Sequence, residues 1–92
     1  MKITIEYAAQ VKRAAGIASE ELDVESSCTV HAAVNQAANN HGDELRAVLF
    51  DSDGRLHPSI LLFVGDDQIR WDQEVELSDH DVITLLSPIS GG

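Results

Sequence analysis

The chain closes on Ser87-Pro88-Ile89-Ser90-Gly91-Gly92, and the chemistry these residues offer is that of a slender terminal carboxylate. Glycine has no Cβ, so a diglycine end passes through a channel too narrow for other residues and bends through backbone regions closed to them. The α-carboxylate of Gly92, with an ordinary pKa of roughly 3.5, is ionised at neutral pH. An ionised carboxylate is a poor electrophile until one of its oxygens becomes a leaving group, as adenylation makes it. The end of the chain therefore calls for an outside activating enzyme. Two terminal glycines arise by chance in roughly one chain in two hundred, so the residues before them decide how the end is read.

The other reactive side chains make weaker constellations. Cys28 and His31, spaced C-x-x-H, offer half a metal site, and a helix N-terminus can lower a thiol pKa. A structural zinc needs four ligands, however, and His41, His57 and His80 lie in separate segments. A lone buried or capping cysteine is the better reading, and a Cys-His hydrolase lacks an orienting third group. Asp51-Ser52-Asp53-Gly54 resembles the opening of a calcium loop, but its glycine comes too early and the closing glutamate is absent, so it is read as a turn. Asp79-His80-Asp81 is read as a solvated turn and not as an acid–base site. Trp71 and Tyr7 are read as packing residues instead of base-stacking platforms.

Sixteen acids against six bases give a net charge of -10. Lys2, Lys12, Arg13, Arg46, Arg55 and Arg70 are scattered among the acids, which argues against nucleic acid as a partner, since phosphate backbones are gripped by clustered bases. The charge favours solubility and steering toward a basic surface on a partner protein. The length suits a single domain. One cysteine excludes an internal disulfide and fits a reducing, cytoplasmic setting. No apolar run approaches the roughly 18 residues of a spanning helix, so no membrane role is expected.

The elements that must position the tail follow from periodicity. Residues 2–7 alternate, with Ile3, Ile5 and Tyr7 on one face of a strand, and Glu20 to Val24 alternates again, so the two should form a wide hairpin. Residues 8–18 between them, interrupted by Gly16, are expected to be a loop with a short turn. Thr29 is a good N-cap for the one main helix, whose stripe is Val30, Ala33, Val34, Ala37, Ala38 and His41 and whose stop is Gly42. A short helical piece carrying Leu45, Val48 and Leu49 should follow, with Asp43 as its cap. The continuous run Ile60–Val64 predicts a strand covered on both faces, turning at Gly65-Asp66-Asp67 into a short return strand, Gln68-Ile69-Arg70. After Val75 and Leu77 and the turn Ser78–Asp81, Val82 to Leu86 makes the last strand, with Ile83 and Leu85 inward. Pro88 removes an amide donor and biases Ser87 to an extended backbone, stiffening the exit. The order predicts an α+β fold, a mixed four- to five-stranded sheet with one main helix on one face and its first and last strands adjacent and parallel. Residues 1–86 would form the domain and 87–92 a flexible tail.

On these residues, and above all on 60–92, the chain resembles the MoaD/ThiS family of ubiquitin-like β-grasp sulfur carriers. The resemblance spans essentially the whole chain and rests on the apolar strand, the Gly-Asp-Asp turn, the run Asp79–Leu86, Pro88 and Gly91-Gly92. His80 stands where the family commonly has glycine, and Ser87-Pro88 replaces the double proline common in molybdopterin synthase small subunits. The resemblance implies that Gly92, with Gly91, is the reactive end, adenylated by a ubiquitin-activating-type enzyme that uses ATP and Mg2+, with no cofactor bound by this chain. It further implies conversion to a thiocarboxylate by a sulfur donor protein, and delivery to a sulfur-accepting biosynthetic enzyme such as a molybdopterin synthase large subunit. The chain would then be a co-substrate and not an enzyme by itself. Leu86 corresponds to an outward apolar docking position, and Pro88, Ile89 and Ser90 would be gripped with the tail. The alternative is a protein modifier joined through Gly92 to lysines of target proteins. The remaining readings are a molybdopterin synthase small subunit and an interaction module with a fortuitous diglycine end.

Overall fold

The computed structural model describes residues 1–87. Five strands, β1 (Lys2–Ala9), β2 (Ser19–Asp23), β3 (Leu61–Val64), β4 (Asp67–Ile69) and β5 (Val82–Ser87), form one mixed sheet in the order β2-β1-β5-β3-β4. Three helices accompany it: α1 (Gln10–Ala15), α2 (Val30–His41) and α3 (Asp43–Leu49). The expected α+β class and the parallel neighbourhood of first and last strands hold, with Ile5 opposite Ile83 and Tyr7 opposite Leu85. Because side chains alternate along a strand, this register puts Ile3, Ile5, Tyr7, Leu22, Leu62, Ile83 and Leu85 on one face. There they join Val30, Ala33, Val34, Ala37, Leu45 and Leu49 of α2 and α3 in a single core.

The segment 8–18 corrects the sequence reading. It is not a loop: β1 runs on to Ala9 and α1 follows, closed by Gly16 in the left-handed region at φ 81°. Six residues are too few to make a helix on propensity alone. What holds α1 is burial of Val11 in the common core. The architecture therefore has three helices instead of one main helix and a short piece. α2 is capped as expected, with the Ala32 N–H donating to Thr29 Oγ1 at 3.2 Å. The N-cap of α3 is Gly42 and not Asp43, which is already helical.

The run 60–64 also departs from expectation. Ile60 precedes β3, and within the strand only Leu62 is buried, while Leu61, Phe63 and Val64 are half-buried, so the outer face of the sheet is not covered. β3 returns through Gly65-Asp66, with Gly65 at φ 59° and Val64 paired to Asp67. A two-residue turn with glycine at its first position suits the twist of the flanking strands. Residues 75–77 form no strand. Instead they brace the start of α2, as the Val30 N–H donates to the Val75 carbonyl and the Leu77 N–H to the Cys28 carbonyl, both at 2.9 Å.

The turn before β5 carries His80 at φ 70°. That conformation costs an L-residue roughly 1–2 kcal/mol relative to the right-handed region and glycine nothing. The contact of His80 Nε2 with Asp79 at 3.3 Å joins two largely exposed side chains and offsets little of this. His80→Gly is expected to stabilise the fold by roughly 0.5–1 kcal/mol once the greater freedom of glycine in the unfolded chain is subtracted, read as a higher midpoint in thermal unfolding.

Candidate functional site

β5 is a central strand, held on one side by β1 and on the other by β3. Its final rungs set Leu86 beside Ala8 and Leu61, and Ser87 beside Ala9. Ser87 is 5% exposed, so the chain beyond it begins from a fixed, buried rung. Ala9 opposite adopts φ 57° and ψ -128°, a region that glycine occupies with ease, and the turn from β1 into α1 passes through it. Leu85 is fully buried and Leu86 half-buried on the opposite face, as alternation demands. Pro88, Ile89, Ser90, Gly91 and Gly92 lie outside the described residues.

The outer face of the sheet around Leu86 is the surface that sequence reasoning missed. The register sets Thr84 between Glu6 and Phe63, and Val82 beside Thr4, so Ala8, Leu61, Phe63, Val82 and Leu86 share that face. The Thr84 hydroxyl donates to Glu6 Oε1 at 3.3 Å. The result is a half-buried apolar strip that runs to the rung where the tail leaves, with Glu6 along it and Asp66 and Asp67 at the β3–β4 turn. A continuous apolar run such as 60–64 hides the alternation that would have betrayed its outward residues.

Several of the polar groups that the sequence singles out are engaged within the fold. The Tyr7 hydroxyl and His41 Nε2–H both donate to Glu20 Oε2, tying β1, β2 and the end of α2 together, and the His41 ring meets the Tyr7 ring edge-on at 5.8 Å. Burial first, and then Glu20, holds the Tyr7 phenol above its ordinary range. Burial, with Glu25 behind it, likewise pushes the Cys28 thiol up, which disfavours the nucleophilic thiolate. His31 stacks on Trp71 with centroids 3.9 Å apart and donates through Nε2–H to the Trp71 carbonyl, which ties the ring to the 71–75 segment. Among the described residues no three of His, Cys, Asp or Glu gather into a metal-holding group. Asp51 Oδ1 accepts from the Asp53 and Arg55 amides at 2.9 and 3.1 Å, closing its own turn.

The acids of the 78–81 turn are similarly engaged: the Lys2 N–H donates to Asp79 Oδ1 at 2.9 Å and the Ser78 N–H to Asp81 Oδ2 at 2.8 Å. The Lys2 hydrogen bond, more than the charge of His80 or the N-terminus, lowers the Asp79 pKa. A carboxyl lowered on folding adds stability that is present above its unfolded pKa and is lost as pH falls through its folded one. Asp79→Asn is therefore expected to separate from the parent in denaturant midpoint at neutral pH and to converge with it in acid, below the ordinary carboxylate range; a constant separation would show that charge is not the cause.

No helix among the described residues is long and apolar enough to cross a membrane. Comparison with known proteins places this geometry. SAMP1 from Haloferax volcanii superposes with a TM-score of 0.89 at 23% identity over 100% of both chains. The small archaeal modifier protein 1 (SAMP1) from Methanosarcina acetivorans does so at 0.76 and 26% identity, over 99% of this chain and 96% of that one. A chain of the BexX/CysO complex of Amycolatopsis orientalis matches at 0.72 and 23% identity, over 98% of this chain and 99% of that one. No curated protein sequence matches the chain. The sequence profile of the ThiS family covers residues 5–92, from the middle of β1 to the final glycine, and the chain therefore belongs to the ThiS family of ubiquitin-like sulfur carriers and modifiers.

Proposed function

We propose that this chain carries sulfur on the terminal carboxylate of Gly92. The carboxylate attacks the α-phosphorus of ATP in a ubiquitin-activating-type partner, releasing pyrophosphate and forming an acyl-adenylate. Hydrosulfide supplied by a sulfur donor protein then displaces AMP, leaving a thiocarboxylate whose sulfur passes to a biosynthetic acceptor enzyme in a molybdopterin-type or cysteine-type pathway. ATP and Mg2+ belong to the partner. The observation that carries this reading is the exit of the tail from the buried Ser87 rung, with the family match running through both glycines. Five residues beyond Ser87 reach at most about 17 Å, long enough to thread a partner's channel while the domain stays outside as a handle. The apolar strip of Ala8, Leu61, Phe63 and Leu86 is the surface a partner would grip beside the channel mouth. The acidic charge of the chain suits a basic partner surface.

The test is intact-mass analysis of the chain after incubation with its activating enzyme, ATP and a sulfur source. Replacement of one terminal oxygen by sulfur supports the carrier. The likeness to the small archaeal modifier protein 1 from Methanosarcina acetivorans favours a second reading, in which a lysine amine of another protein displaces AMP and forms an isopeptide bond. High-mass adducts through Gly92 are its signature. Neither product would sink both readings.

A further inference from the structure

The sheet order leaves β2 and β4 at its two margins, and β4 is only three residues long. At β2 the hydrogen bonds show which backbone groups are in use. The Met1 ammonium donates to the Val24 carbonyl at 2.8 Å, the Val24 N–H returns a bond to the Met1 carbonyl at 2.9 Å, and the Tyr7 N–H donates to the Ala18 carbonyl at 2.8 Å. Antiparallel pairs alternate between bonded and unbonded. In step with these bonds, Leu22 opposite Ile3 and Glu20 opposite Ile5 turn their N–H and C=O groups to β1. Those of Ser19, Glu21 and Asp23 point the other way, out of the sheet. Among the described residues only the Asp23 carbonyl finds a partner there, accepting from Gln36 Nε2 at 3.2 Å. A row of unpaired backbone groups is a template for another strand.

The side chains around this edge select the strand it accepts. Ser19, Glu21 and Asp23 are exposed, and the register sets Glu6 beside Ser19, Thr4 beside Glu21 and Lys2 beside Asp23. On the outer face the acids Glu6, Glu21 and Asp23 therefore outnumber the single base Lys2. Pairing with the same edge of a second copy, antiparallel about Glu21, would set Glu21 directly against Glu21, and like charges so placed are destabilising. A strand with Lys or Arg at alternate positions reverses the sign of that interaction. Its other face would lie on the α2 side, where a groove of about 320 Å3 at the end of β2 has Val24, Cys28 and Ala32 in its wall. At the opposite end of the edge stands Ile17, a large apolar residue that is 39% exposed.

We propose that the outward edge of β2 accepts an extended basic segment of a partner protein as an added strand. Lys or Arg at alternate positions of the segment face Glu21, Asp23 and Glu6, and the apolar residues between them turn toward α2, one of them entering the groove of Val24, Cys28 and Ala32. Main-chain bonds to Ser19, Glu21 and the Asp23 N–H hold the segment, and its alternate side chains make the choice specific. The edge is separated from β5 by β1 and does not use the strip around Leu86. The inference stands apart from the fate of Gly92.

Solvent-exchange NMR of the full chain, titrated at low salt with an acetylated and amidated hexapeptide of alternating valine and lysine, tests the edge without any activating enzyme. It can therefore fail while thiocarboxylate formation succeeds, and the reverse. The expected result is that exchange of the Ser19, Glu21 and Asp23 amide protons slows about tenfold at a free peptide concentration about ten times Kd, with the Val24 and Ala32 methyl resonances shifting in parallel. Glu21→Lys should weaken binding about tenfold, and a peptide of alternating valine and glutamate should give no protection. Unchanged exchange at these three amides, whether or not the peptide binds elsewhere, overturns the edge as the docking site. Equal protection by the glutamate peptide, or unchanged affinity in Glu21→Lys, overturns the selection for a basic strand.

Discussion

Deletion of Gly91 and Gly92 is expected to abolish transfer to the carboxylate altogether while leaving the unfolding midpoint where it was. Among the described residues, every buried member of the hydrophobic cluster lies between Ile3 and Leu85. Stability and chemistry should thus come apart cleanly. The shortened chain would end in the carboxylate of Ser90, which is as ionised as that of Gly92 but carries a Cβ and reaches about 7 Å less far. Intact-mass analysis with the activating enzyme and ATP should give no thiocarboxylate and no adduct, and thermal unfolding should overlay that of the parent. Full activity in the shortened chain would remove the basis of the proposed function.

Leu85→Ala and Leu86→Ala should have opposite effects although the residues are neighbours. Leu85 is completely buried between Tyr7 on β1 and Leu62 on β3, and truncation leaves a cavity that the surrounding helices cannot fill. The expected cost is about 2–5 kcal/mol, a large share of the roughly 5–15 kcal/mol that holds a domain together. Denaturant unfolding would show it as a lower midpoint at unchanged slope. Leu86 points to the outer face beside Ala8 and Leu61, and its truncation should cost little stability. If that strip is the partner's grip, Leu86→Ala weakens binding of the activating enzyme by about tenfold, the equivalent of 1.4 kcal/mol. Titration calorimetry reads that loss directly, and unchanged affinity would move the docking surface elsewhere.

Much of the fold was legible because the core patterns are regular. Alternation marked β1 and β5, Thr29 and Gly42 marked the limits of α2, and Gly65-Asp66-Asp67 marked the β3–β4 hairpin, though Asp67 already belongs to β4, which runs Asp67–Ile69 and not 68–70. Where the reading failed, the deciding term was not local. α1 is too short to be favoured by its own residues and exists because Val11 reaches the common core. The outward residues of β3 were hidden because an unbroken apolar run has no period from which to tell covered faces from open ones. His80 stands where the family commonly has glycine, but only the backbone shows that the turn holds it in the left-handed region.

For the candidate site the division runs along the same line. Sequence alone determined the diglycine end, the thinness of the chain leading to it and the acidic charge of the domain, because these are properties of composition and order. Tertiary structure decided that Ser87 is a buried rung and that Leu86, Leu61, Phe63 and Ala8 share one open face. It alone set His57 beside the point where the tail departs. Those neighbours come from β1, the loop before β3, β3 and β5, and what brings them together is strand register, a long-range pairing fixed by burying the opposite face of the sheet.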